Sequence, residues 1–146
     1  MSEAANAGER PPQKLARGGQ PAIAYRHVAG AAPGVVFLGG FMSDMTGTKA
    51  SRLDADCRQV GRQFTRFDYR GHGQSGGRFE AGTISLWRDD ALAVLDGVTT
   101  GPQVLVGSSM GGWLMLLVAL ARPDRVKGLV GVAPAPDFVA RMVEGF

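Results

Sequence analysis

Apolar residues recur along this chain in two rhythms. Val35-Val36-Phe37-Leu38 is a continuous apolar run closed by Gly39-Gly40. A short run rich in β-branched residues predicts a strand buried on both faces. Val104-Leu105-Val106 and Leu129 to Ala133 read the same way. Ile23 to Val28 and Phe64 to Tyr69 predict two further strands, the first placing Ile23, Tyr25 and His27 on one face. Between the strands the period changes. Ala50, Leu53, Cys57 and Val60 recur at spacings of three and four, one face of an amphipathic helix with Gly61 as its C-cap. Ile84, Trp87, Ala91, Val94, Leu95 and Val98 repeat the pattern, with Thr83 or Ser85 as cap. Trp113 to Ala121 is apolar on nearly all sides, so this helix should lie deep and end before Pro123. Ala29 to Gly34 reads as a turn, and Gly101-Pro102 breaks the chain.

Strands alternating with helices predict an α/β fold, a doubly wound and mostly parallel sheet with helices on both faces. The length of 146 residues suits one domain over residues 21–146. Residues 1–20, rich in Ala, Gly, Pro and charge, read as a disordered lead-in.

Composition narrows the function classes. With 45% apolar and 20% charged residues the chain is an ordinary globular sequence. Its 22 glycines and 8 prolines follow no repeat period, which excludes collagen-like and solenoid readings. The net charge of +3 comes from arginines scattered among aspartates (Arg52, Arg58, Arg62, Arg66, Arg70, Arg78), a pattern that favours solubility over nucleic-acid binding. The apolar stretch from Trp113 to Ala121 is too short to span a bilayer. Cys57 is the single cysteine. It excludes an internal disulfide and fits a reducing compartment. Residues 1–20 contain Glu3 and Glu9 and no apolar signal core, so the expected location is the cytoplasm.

The candidate chemistry centres on Gly107-Ser108-Ser109-Met110-Gly111, a Gly-x-Ser-x-Gly pentapeptide. A nucleophilic hydroxyl must be thrust out of a tight strand-to-helix turn. Small residues two before and two after let the strand and helix approach. The pentapeptide alone is a weak signal, but here a strand precedes it and a helix follows. Ser109 is therefore the candidate nucleophile. Met110, at the helix N-terminus, offers its N–H to an oxyanion. A second donor should lie in the loop after an earlier strand. Gly39-Gly40-Phe41-Met42 fits, with the Phe41 N–H preferred over that of Met42.

His72 stands in the glycine-rich loop Arg70 to Gly77 and is read as a structural residue that hydrogen-bonds locally. His27 is read as a core or edge residue, and Cys57 as a small hydrophobe on a buried helical face. Two separated histidines and one cysteine supply no metal site, and no cofactor is called for.

Three features together resemble the α/β-hydrolase superfamily: the turn at 39–41, the Asp-x-Arg-Gly-x-Gly-x-Ser loop at 68–75, and the Ser109 elbow. More narrowly, Gly40 to Ala50, Arg66 to Gly77 and Gly101 to Asp137 resemble thioesterase and esterase members of it. The resemblance implies a serine hydrolase that cleaves esters or thioesters through an acyl-enzyme, with small or acylated substrates as partners. A histidine would act as base, oriented by an aspartate. On this fold the order is nucleophile, acid, histidine. No histidine follows Ser109; Asp124, Asp137 and Glu144 do. Some relatives carry their acid where Asp137 stands. The expectation is an N-terminal piece of a longer hydrolase that lacks the last strands of the family sheet. Alone it would be nearly inactive and prone to associate along the edge of its last strand. The competing reading is an inactive remnant serving as a binding module.

Overall fold

The computed structural model describes residues 11–132. Six strands, β1 (Gln13–Arg17), β2 (Gln20–Val28), β3 (Ala31–Leu38), β4 (Arg62–Phe67), β5 (Gln103–Ser108) and β6 (Val126–Val132), form one sheet in the order β1-β2-β4-β3-β5-β6. β1 and β2 run antiparallel to their neighbours, and β4, β3, β5 and β6 are mutually parallel. Three helices alternate with them: α1 (Thr48–Val60), α2 (Ile84–Gly97) and α3 (Met110–Ala121). No helix among the described residues is long and apolar enough to cross a membrane.

The period of two in a strand divides the core. Val36 and Leu38 face one way and join Leu105, Trp87, Val94, Met110, Leu114 and Val118 under α2 and α3. Phe37 faces the other way and joins Phe64, Val106, Ala50 and Cys57 under α1. The sheet is thus covered on both faces. Fully burying an aliphatic or aromatic side chain contributes about 1.5–3 kcal/mol, so the double covering supplies most of the drive to fold.

Helix ends follow their local chemistry. Gly61 closes α1 in the left-handed conformation, at φ 71°, and its N–H reaches the carbonyls of Arg58 and Cys57. Thr83, rather than Ser85, caps α2 by accepting from the Leu86 N–H.

Three expectations need correction. The disordered lead-in does not extend to residue 20, because Gln13–Arg17 form β1 against β2. The turn expected over Ala29 to Gly34 is shorter, since β3 already begins at Ala31. The arginines are not all solubilising. Arg66 is 1% exposed and pairs with Asp54 of α1 at 2.8 Å, while Arg70 and Arg17 share the buried Asp90. β6 is the last strand among the described residues, which end at Val132, so Ala133, Asp137 and Glu144 lie outside them.

Candidate active site

Parallel strands send their following loops to one edge of the sheet. β3 and β5 are adjacent, with Leu38 opposite Gly107, so the loop after β3 and the turn after β5 emerge side by side. β4 flanks β3 on the other side, with Phe37 opposite Arg66. Three chemistry-bearing segments therefore meet: 39–45, 68–75 and 107–111.

Ser109 sits between β5 and α3 at φ 56°, ψ −119°, a conformation an L-residue adopts only when its surroundings impose it. Its two flanking glycines show what imposes it. A Cβ on Gly107 would lie 2.4 Å from the Gly111 carbonyl oxygen, and one on Gly111 would lie 2.0 Å from that of Leu38. No side chain fits at either point, so strand, helix and the end of β3 close on one another. Ser109 is half-buried at the open edge. Met110 opens α3, where a backbone N–H has no intrahelical acceptor. Gly40 lies against the Ser109 turn, its Cβ position 3.3 Å from Ser109 Cβ.

The loop after β3 is held by residues at and after the end of β4. The Tyr69 hydroxyl donates to the Gly39 carbonyl at 2.9 Å. The Met45 N–H donates to Asp68 Oδ1 at 2.7 Å, and Arg66 Nη1 donates to the Met45 carbonyl at 2.8 Å. The Met42 N–H donates to His72 Nε2 at 3.2 Å. Met42 and Ser109 are the two non-glycine residues with positive φ among those described, and both stand in this site.

The charges here are tuned by burial. Desolvation pushes the Asp68 carboxyl above its ordinary value, against the N–H donors of Gln74 and Met45, which pull it down. Burial, reinforced by the Asp90 charge, raises the Tyr69 phenol, so it remains a donor. A cavity of about 260 Å³ opens beside the elbow, lined in part by Gly39, Gly40, Ser43, Lys49 and Ser108. Lys49 Nζ lies 3.4 Å from Ser108 Oγ.

The candidate residues fall out as follows. Gly107, Ser109, Met110 and Gly111 lie together at the turn from β5 into α3, and Phe41 lies on the loop facing it. The Phe41 ring packs edge-on against Phe79 and Trp87, at centroid distances of 5.1 and 5.9 Å. The Met42 N–H is directed at His72, which removes it as the alternative oxyanion donor. Neither histidine meets Ser109. His72 Nδ1 lies 3.1 Å from the Arg70 carbonyl, and His27 Nδ1 lies 2.8 Å from Thr65 Oγ1. Cys57 packs among Phe37, Ala50, Phe64 and Val106, where burial raises its thiol pKa. Sequence reasoning named Asp68 only as the start of the 68–75 loop motif, and did not single out Arg66, Tyr69 or Lys49. The available signal was the run of polar residues at 66, 68 and 70 within and just after an otherwise buried strand.

The chain matches the Hydrolase_4 family, described as serine aminopeptidase, S33, over residues 33–144. It is 47% identical over 123 residues to the mitochondrial palmitoyl-protein thioesterase ABHD10 of Bos taurus, covering 84% of this chain and 40% of that protein. The human counterpart, likewise named mitochondrial, is 48% identical over 117 residues, 80% of this chain and 38% of that one. The solved structure of mouse α/β-hydrolase domain-containing protein 10 superposes with a TM-score of 0.86 at 42% identity, over 94% of this chain and 55% of the other. The chain thus spans about 40% of the length of these curated relatives. Their names overturn the expected cytoplasmic location, which rested on the single cysteine and on the acidic residues and missing apolar core of residues 1–20. With the fold, the family match and the relatives in agreement, the chain belongs to the Hydrolase_4 family of α/β hydrolases and resembles ABHD10.

Proposed function

We propose that this chain carries the nucleophile half of a serine hydrolase acting on carboxylic esters or thioesters. The observation that carries the reading is the backbone of Ser109, held at φ 56° between a strand and a helix by two glycines that admit no side chain. Ser109 Oγ attacks the acyl carbonyl carbon and passes its proton to an imidazole base. The carbonyl oxygen becomes an oxyanion, held by the N–H groups of Met110 and Phe41. The tetrahedral intermediate collapses, the alcohol or thiol leaves with the proton, and water releases the acid from the acyl-enzyme. Each oxyanion donor is worth about 10²–10³ in rate. Both histidines of the chain are committed elsewhere, so the base is supplied from outside these 146 residues. The thioesterase named among the relatives supports an acylated substrate.

Fluorophosphonate labelling of the native protein, with peptide mapping, tests this reading. Ser109 should carry the label, and Ser109→Ala should lose it together with at least about a thousandfold in ester turnover. An unchanged turnover in that variant removes Ser109 as nucleophile. The commitment of both histidines also favours a second reading, a binding module without turnover. Absence of any label, with retained binding of an acyl compound, would select it.

A further inference from the structure

We infer that His72 is a positioning residue for the oxyanion loop, acting through the Met42 amide. The inference rests on the functional reading above and names a part of that site. The imidazole has two partners of opposite kind. The Arg70 carbonyl, 3.1 Å from Nδ1, can only accept, so Nδ1 carries the proton. The Met42 N–H, 3.2 Å from Nε2, can only donate, so Nε2 is bare. Together they fix one neutral tautomer of a ring that is 4% exposed. The ring is also fixed in orientation, edge-on to Tyr69, Trp87 and Phe79 at 5.5, 5.3 and 5.2 Å. The Trp87 indole N–H donates to the same Arg70 carbonyl at 3.2 Å, anchoring it in turn.

What this ring holds is a strained residue. Met42 has φ 60°, a conformation that costs a non-glycine residue free energy and persists only where the surroundings over-determine it. The peptide unit just before it carries the Phe41 carbonyl, and the Phe41 N–H is one residue further back. A rotation at Met42 therefore re-aims the donor loop. Tyr69 fixes the start of the loop at Gly39, and Asp68 with Arg66 fixes its end at Met45. Its middle is closed by the Ser43 N–H donating to the Gly40 carbonyl at 3.2 Å, and His72 adds a side-chain hold at Met42. The imidazole acceptor, together with that turn, thus sets the direction of a backbone donor that touches the substrate, while His72 touches none of it.

Two substitutions separate this role from simple packing. His72→Phe keeps an aromatic ring among Tyr69, Phe79 and Trp87 and removes the acceptor. His72→Gln places Oε1 where Nε2 stands and keeps it. In the native protein, His72→Phe should lower kcat for a p-nitrophenyl ester at least about tenfold with KM within twofold, because the lost interaction is made in the transition state. His72→Gln should recover most of the rate. Equal losses in both variants, or wild-type kcat in His72→Phe, overturn the proposal. The Met42 amide resonance gives a readout independent of turnover. It should move in His72→Phe and stay near its native position in His72→Gln, and an unmoved resonance in His72→Phe also overturns the clamp. Should His72→Phe fail to fold, His72→Gln decides alone: a native Met42 resonance with near-native kcat supports the clamp, and a low kcat with a native resonance refutes it. If Ser109 proves unreactive in the wild type, the functional reading fails, and the Met42 resonance still decides whether His72 sets the loop.

Discussion

At the scale of single residues, the site is built from groups that are poor choices for an isolated helix, strand or surface. Ser109 and Met42 sit at positive φ, and Asp68 is a carboxylate 2% exposed. Asp68 accepts from Met45 at one oxygen and from Gln74 at the other, joining the loop after β3 to the loop after β4. Burial raises its pKa above the ordinary 3.8, so the folded chain binds the Asp68 proton more tightly than the unfolded chain does. Stability from this group is therefore greatest below the ordinary aspartate range. It declines as pH rises from there through the raised pKa, and levels off above it. Urea denaturation of wild type and Asp68→Asn across that range should show this part of the slope vanish in the variant. An identical slope in the two proteins would assign it to another group.

At the scale of elements, α1 shows what pattern can reveal and where it stops. The spacing of Ala50, Leu53 and Cys57 is legible, and these residues do face the sheet. Val60 keeps the period yet is 70% exposed, because the helix ends there and the chain turns at Gly61. Asp54 lies on the same buried stripe and reads as surface, because a periodicity argument assigns charge to solvent. Its partner is Arg66 on β4, and nothing local in sequence couples a helical aspartate to a strand arginine twelve residues on. The pair sits between sheet and helix at 2.8 Å, with Arg58 as a second cation on Asp54. Removing one member leaves a buried charge with less compensation, so Asp54→Ala should destabilise the chain by about 3–5 kcal/mol. A shift in denaturation midpoint worth less than about 1 kcal/mol would show that Arg66 is adequately held by Met45 and Ser51 alone. β1 was missed for the opposite reason. It is an edge strand in which Leu15 alone packs on the core, too little apolar signal to stand out. The turn at Ser109 was legible because its pattern is local, five residues on a strand-to-helix junction. The clamp on the facing loop was not, because it joins residues about thirty apart.

For the whole molecule, the sheet is unevenly finished. On one side β1 closes it with a short, largely polar strand. On the other, β6 pairs with β5 alone among the described residues, and Leu129 and Val130 are 40% and 47% exposed. An apolar strand with an unpaired backbone edge recruits another strand. The 146-residue chain should therefore elute from size exclusion as an associated species, and Val130→Lys should shift it toward monomer. A sharp, concentration-independent monomer peak in the wild type would show that this edge is already covered.

The adjacency of β3 and β5 has a consequence for how such a site can vary. The loop after β3 begins one residue past Leu38, and the turn that carries Ser109 begins at Gly107, its partner in the ladder. Their separation is therefore a lattice dimension, the interstrand spacing of about 4.8 Å, set by backbone hydrogen bonds. Exchange of side chains around the cavity can reshape it without altering that gauge. In the proposed hydrolase, specificity and reactive distance are thereby independent variables, one written in side chains and the other in the peptide backbone.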